Sequence, residues 1–371
     1  MTMSNNLHRL FDEQGQSPWL DNLQRGYITS GHLNAVIDSG IRGLTSNPTI
    51  FQKAIQGSTD YDEQFTRVTA AGVGVEDAYW DLVTTDIDGA LEAFKPLFDS
   101  SNGLDGFVSV EVDPSLATDG VATLSAAKKL HERISRPNVM IKIPATIQGI
   151  PAIESMIAQG CNINVTLIFS LERYQDVMNA YISGLETRLA QKLPISAISS
   201  VASFFISRVD TEIDRRLDAC GTVDALSLRG TAAISQARLA YQLFEQTFSG
   251  QRWNKLAQAG AQVQRPLWAS TSTKNAAYLD TMYVDQLIGP HTVNTLPEST
   301  VTAFGDHGTI ECTITSDLEG ARQRWNALSN YGVNVDDVAN VLEQEGVLSF
   351  QNSFNDLMSA LSAKASKIKD V

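Results

Sequence analysis

The run Val139-Met140-Ile141-Lys142-Ile143-Pro144-Ala145-Thr146 sets one lysine inside an apolar, strand-forming segment that a proline closes. Apolar residues occupy both sides of its period-2 alternation, which predicts a strand covered on both faces, as in a parallel sheet flanked by helices. A lysine placed there loses hydration that favours its charged form, and an uncharged amine attacks carbonyl carbon. The alternative is a lysine guarding a sheet edge, its stem buried and its head in water. Asp21 and Glu111 each end another apolar run. Two carboxylates converging with a lysine on a cavity suit amine catalysis of a carbonyl. One acid shuttles protons while an imine forms, and the other takes a proton from a substrate hydroxyl.

Such convergence needs a framework that collects strand ends. Strand patterns cover 17–23, 41–45, 106–112, 139–144, 163–169, 201–206, 266–270 and 292–296, with helical patterns between them. Asp60, with Glu63 three residues on, predicts a helix cap, and Ser170 predicts another before a helix from Leu171 to about Leu193. Gly72-Val73-Gly74 reads as a turn between helices, and 305–308 as a loop. This alternation predicts the α/β class and a closed (β/α)8 TIM barrel, a single domain over 1–371, with additional C-terminal helices over roughly 310–371. The stripe Phe354, Leu357, Met358 and Leu361 is expected on the barrel exterior or rim.

In such a barrel, chemistry gathers at the carboxyl ends of the strands. Those ends hold Asp21, Asn47, Glu111, Lys142, Asn164 with Thr166, Ser203 and Ser270. Any one alone reads as a loop cap or a satisfied core polar group. Their recurrence at the same end of successive strands is the signal.

Composition narrows the partners. The chain of 371 residues, 43% hydrophobic, sets 28 Lys and Arg against 42 Asp and Glu, for a formal charge of −14. A field of that sign repels nucleic acid and anionic membrane, so an anionic substrate needs a local basic pocket. Cys161, Cys220 and Cys312 are far apart and form no CxxC, which suits a reducing, cytoplasmic setting with buried thiols. The first sixteen residues lack a signal peptide's apolar core, and no apolar run approaches the roughly 20 residues of a membrane span. His8, His32, His131, His291 and His307 form no HxxxH or HExxH pair, so no metal site is expected, and no phosphate-cradling GxxxxGK[ST] run occurs.

Gly43-Leu44-Thr45-Ser46-Asn47-Pro48-Thr49-Ile50-Phe51 resembles the first signature of the transaldolases, and Ile141-Lys142-Ile143-Pro144-Ala145-Thr146 with Gly149 resembles the second. Segments 108–113 and 162–170 are similar to further family segments, in the family's order. The resemblance covers most of the chain. It implies a (β/α)8 barrel, no metal or organic cofactor, and transfer of a dihydroxyacetone unit between a ketose phosphate donor and an aldose phosphate acceptor in the pentose phosphate pathway. By position, Lys142 would be the Schiff-base lysine. Glu111 would act through a water held by Thr166, and Asp21 would accept the C4 hydroxyl proton. Asn47, Asn164 and Ser203 would bind substrate hydroxyls, and Arg208, just beyond a strand end, the phosphate; read from the residues alone, Arg208 is a surface arginine near Asp210 or Glu212. Where the family pattern has a second arginine after an Ala-Ser-Phe turn, this chain has Ala269-Ser270-Thr271-Ser272-Thr273-Lys274-Asn275, two residues longer. Lys274 is the substitute, beside Ser270. Dimers occur among relatives, so a homodimer is allowed.

Fructose 6-phosphate aldolase is the nearest rival, with the same lysine but release of free dihydroxyacetone. It carries glutamine where Glu111 stands and tyrosine where Phe205 stands, in shorter chains, so Phe205 joins the substrate-facing residues. A sugar-phosphate-binding barrel without turnover predicts loss of a reactive residue, and Asp21, Glu111 and Lys142 are all present.

Overall fold

A computed structural model of the chain describes residues 5–369. Its strands are β1 (Gln16–Leu20), β2 (Gly43–Thr45), β3 (Phe107–Glu111), β4 (Val139–Pro144), β5 (Ile163–Ile168), β6 (Ser200–Phe205), β7 (Arg265–Ala269) and β8 (Thr292–Leu296). Each pairs in parallel with the next, and β8 pairs with β1, closing a (β/α)8 barrel. Every strand residue is buried, as a strand covered by barrel interior on one side and helices on the other must be. The eight predicted strands are the eight observed, shifted by a few residues at their ends.

Register sets the layers of the interior. Glu111 pairs with Lys142, and Lys142 with Asn164, so these three side chains leave adjacent strands at one level. Ser109 and Met140 pair one layer below. The Ser109 hydroxyl accepts from Asn164 Nδ2 at 3.0 Å, tying the two layers together.

Several local expectations hold. Ser170 caps the helix Leu171–Ala190, its hydroxyl accepting from the Arg173 N–H at 3.0 Å, and residues 71–74 separate the helices Asp62–Ala70 and Val75–Ser100. Others do not. Asp60 caps no helix: the next one begins at Asp62, whose N–H bonds the Thr59 carbonyl, while the Asp60 carbonyl accepts from Arg25. Residues 305–307 finish the helix Glu298–His307 rather than forming a loop: Phe304 is anchored in the core and its carbonyl accepts from the Gly308 N–H at 3.0 Å. Of the cysteines, Cys161 is buried but Cys220 and Cys312 are exposed.

The longest C-terminal helix, Val335–Lys369, does more than cover the exterior. Asp337 pairs with Arg216 at 2.6 Å, Glu343 with Arg173 at 3.1 Å, and Ser353 with Thr49 at 2.7 Å. Those partners stand on helices that follow β6, β5 and β2, so the helix runs across the carboxyl-end mouth of the barrel. Phe354, Leu357 and Leu361 are buried along its inner side, and Phe354 meets Tyr79 edge to face at 5.3 Å. No helix among the described residues is long and apolar enough to cross a membrane.

Candidate active site

Lys142 is placed by β4 with its side chain inside the barrel and 5% exposed. Its Nζ donates to the Ser46 carbonyl at 3.2 Å and lies 3.2 Å from Glu111 Oε2. The second contact is an ion pair by distance, but its angle leaves Oε2 without a hydrogen-bond donor. Thr166 Oγ1, facing the same cavity from β5, is likewise buried without a partner. Burial is the largest influence on Glu111 and pushes its carboxyl above the ordinary range, against the pull of Lys142. A raised carboxyl beside an amine suits proton exchange with that amine or with a hydroxyl.

Above Lys142 opens a cavity of about 360 Å³, within the size range of small-ligand sites. Asp21, Asn47, Lys142, Thr166, Ser203, Phe205, Arg208, Ser270 and Lys274 all form its wall. Glu111 and Asn164 stand behind that wall. Asn164 is fully buried and accepts from the Ser203 hydroxyl at 2.7 Å, so it presents Ser203 to the cavity while donating to Ser109. Asn47 spends its Oδ1 on capping the helix Pro48–Gly57 through the Ile50 N–H at 3.0 Å, leaving its amide N–H donors for a ligand.

Asp21 leaves the end of β1 and accepts from the Thr45 hydroxyl at 2.7 Å. Thr45 in turn lies 2.6 Å from the Thr295 hydroxyl. Because Thr45 gives its proton to Asp21, Thr295 must donate to Thr45, and the chain of hydroxyls orients the carboxylate. Burial raises the Asp21 pKa, with Lys142 and then Thr45 acting in the opposite direction. Sequence reasoning missed Thr45 and Thr295, although both sit on strand ends of the kind it searched.

The basic side of the wall joins three segments. Arg208 follows β6, Lys274 lies in the connection after β7, and Lys53 belongs to the helix Pro48–Gly57. Nearby ion pairs are Lys142–Glu111, Arg173–Glu343 and Arg216–Asp337, and among the described residues Arg208, Lys53 and Lys274 enter none. Burial lowers the Arg208 pKa, with Asp21 and Glu111 opposing, and burial followed by the Arg208 charge lowers that of Lys274. Lys274 Nζ donates to the Ser272 hydroxyl at 2.5 Å, and the Ser270 hydroxyl lies 2.9 Å from that of Ser207. Ser270 has φ +58, a left-handed turn that directs the chain back over the cavity. Unmatched cations inside a chain of net charge −14 are the local exception an anionic ligand requires.

Phe205 packs against Phe169 with ring centres 5.0 Å apart and planes tilted by 46°, and lies 5.2 Å from the Arg208 guanidinium. Ser349 and Phe350 of the mouth-crossing helix complete the wall. Phe350 continues the Phe354–Leu357–Leu361 stripe by one turn, so its pattern signals burial but not its proximity to the lysine.

The fold and this wall define a class: a parallel (β/α)8 barrel with a buried amine, two buried acids and a rim of unpaired cations among the described residues at the carboxyl-end face. Residues 18–361 match the family model described as Transaldolase/Fructose-6-phosphate aldolase. The chain is 50% identical over 366 residues to Transaldolase 1 of Streptomyces avermitilis, covering 97% of each. It is 49% identical to the transaldolase of a Parafrankia species, over 94% of this chain and 95% of that one, and 46% identical to that of Saccharopolyspora erythraea over the full length of both. The chain belongs to the transaldolase/fructose-6-phosphate aldolase family.

Proposed function

We propose that the protein transfers a dihydroxyacetone unit from sedoheptulose 7-phosphate to glyceraldehyde 3-phosphate, giving erythrose 4-phosphate and fructose 6-phosphate, through a Schiff base on Lys142. The observation that carries this reading is Lys142 Nζ at 3.2 Å from Glu111 in a cavity that also holds Asp21 and three cations free of ion pairs among the described residues. Transfer of the ammonium proton to Glu111, whose carboxyl is raised by burial, frees the amine to attack the C2 carbonyl of the ketose. Glu111 then returns protons to the departing hydroxyl. A water joining its Oε2 to Thr166 Oγ1 would satisfy both partnerless atoms and serve as the relay.

With the imine formed, Asp21 takes the C4 hydroxyl proton and the C3–C4 bond breaks, releasing the aldose phosphate. The enamine left on Lys142 waits for the acceptor. Asn47 and Ser203, the latter held by Asn164, orient the retained hydroxyls. Arg208 and Lys274 bind the phosphate of donor and acceptor in turn, Arg208 offering a planar fork and Lys274 a point charge. Ser270 holds the turn that carries Lys274. The C-terminal helices work as part of this one unit, since Ser349 and Phe350 wall the same cavity. The setting is the cytoplasm, where sugar phosphates occur, and the family allows a homodimer, which light scattering would test.

The aldolase reading gains no support from the glutamate and phenylalanine at positions 111 and 205. Purified protein given fructose 6-phosphate and erythrose 4-phosphate should form sedoheptulose 7-phosphate; fructose 6-phosphate consumed as fast without acceptor would favour simple aldol release. Borohydride with a ketose phosphate should fix the sugar on Lys142, and Lys142→Arg should abolish the adduct. Arg208→Ala should raise KM for phosphorylated ketoses by about 100-fold, the scale of one or two charge-assisted hydrogen bonds. Unphosphorylated ketoses should be little affected, and an equal loss for both kinds would remove Arg208 from the phosphate site.

A further inference from the structure

The enamine on Lys142 has to outlast an exchange of ligands. Between departure of one aldose phosphate and arrival of the next, no substrate covers it, and whatever keeps water from the intermediate must belong to the protein. Phe350 is placed for this. Its ring centre lies 5.9 Å from Lys142 Nζ and 6.0 Å from Arg208 Cζ, so the ring flanks both the amine and the guanidinium on the cavity wall. It is 4% exposed although both neighbours, Ser349 and Gln351, reach the surface in part.

The ring is carried on an anchored support. Upstream, Asp337 and Glu343 are fixed to Arg216 and Arg173. Downstream, Gln351 donates to the Pro114 carbonyl at 3.2 Å and Ser353 meets Thr49. Gly346, one turn before Phe350, lets the helix settle onto the barrel: a Cβ there would come within 2.9 Å of Leu167 Cδ2. Tethers on both sides hold the ring against the cavity.

We propose that Phe350 sets how the Lys142-bound three-carbon intermediate divides between transfer and hydrolysis, an inference that rests on the Schiff-base reading above. Hydrolysis begins when a proton from water or a wall acid reaches the nucleophilic carbon of the enamine, giving the iminium. One water then adds to the iminium carbon, its proton passes to nitrogen, and the C–N bond breaks to free dihydroxyacetone and the Lys142 amine. That water replaces the one expelled when the imine formed, so the net reaction splits fructose 6-phosphate into dihydroxyacetone and glyceraldehyde 3-phosphate. A ring over the amine restricts both the proton source and the attacking water, whereas an incoming aldehyde brings its own phosphate to Arg208 and fills the cavity.

The test compares two rates in one preparation: dihydroxyacetone release from fructose 6-phosphate alone, and transfer to erythrose 4-phosphate. In Phe350→Ala the ratio of release to transfer should rise by about tenfold, or roughly 1.4 kcal/mol in the partition. Phe350→Leu keeps the helix packed and should show a smaller rise in the same direction. A ratio unchanged in the variants that fold, whatever happens to the transfer rate, overturns the proposal and leaves Phe350 a packing residue. Borohydride trapping on Lys142 in the parent protein separates the two levels: absence of an adduct would sink the Schiff-base reading itself, while a normal adduct with an unmoved ratio sinks only the role of Phe350.

Discussion

Asp21 and Glu111 are both buried acids with raised pKa values, yet they stand in different surroundings. Glu111 touches the amine through Oε2 at 3.2 Å, which suits a group that exchanges protons with it. Asp21 accepts a hydroxyl proton donated by Thr45, an arrangement that favours its ionised form and suits a base. Thr45→Val removes that donor and leaves burial less opposed, so the Asp21 pKa moves further up. If Asp21 must be ionised to act, the acid limb of the kcat/KM profile should then shift to higher pH by about one unit, the value of one good hydrogen bond to a carboxylate. An unmoved limb would take Asp21 out of the base's role. At this scale the sequence was informative because the two acids ended apolar runs and Lys142 stood inside one. Lys53, Ser349 and Phe350 had no such marker: they come from helices, and only tertiary placement turns them toward the cavity.

Elements were legible to the extent that each carried its own boundary. A strand covered on both faces is a short apolar run, and all eight runs stand out between polar stretches. Thr59 displaced Asp60 at a helix start through a backbone hydrogen bond, a competition that residue type alone does not decide. Less visible still was how elements are joined around the cationic rim. Asp210, two residues beyond Arg208, accepts from the Ala233 N–H at 2.7 Å and the Tyr283 hydroxyl at 2.8 Å, and Asp214 takes the Tyr278 hydroxyl at 2.6 Å. These bonds lock the helix after β6 to the segment that follows Lys274. Burial pushes the Asp210 carboxyl up to about 7, with the Ala233 and Tyr283 hydrogen bonds opposing and Asp214 adding to the rise. The folded chain therefore binds more protons here than the unfolded chain above about pH 4. This contribution to stability is complete below that value and fades as pH rises through about 7. Asp210→Asn, which mimics the protonated acid, should flatten the decline in denaturation midpoint between pH 5 and 8. A decline as steep as in the parent would assign the effect to another group.

Across the whole molecule the two ends of the barrel use charge in opposite ways. At the carboxyl-end mouth, cations are left unmatched and an amine is held beside a single acid. At the amino-end base, two guanidinium groups are instead held on one carboxylate. Asp105 is fully buried, 2.6 Å from Arg42 and 3.0 Å from Arg265, and accepts from the Ser17 hydroxyl at 2.9 Å. Arg265 Nη1 also donates to Ser17 at 2.9 Å, so residues before or at the start of β1, β2, β3 and β7 share one closed network. Burial is the largest influence on Asp105 and would raise its pKa, but Arg265 and Arg42 together outweigh it and hold the carboxyl below its ordinary value. Its contribution to stability therefore has the opposite sign to that of Asp210. It is present above the ordinary carboxyl range and is lost as pH falls through the lowered folded value. Asp105→Ala would leave the buried Arg265 guanidinium and the half-buried Arg42 without their carboxylate, at a cost of about 3–5 kcal/mol and a fall in Tm on the order of 10 °C. Because the network lies at the end of the barrel away from Lys142, kcat for transfer measured well below the new Tm should stay close to that of the parent. A variant with unchanged Tm would show that water already solvates these arginines, while a proportional loss of kcat with Tm intact would mean that the base of the barrel reaches the site through its strands.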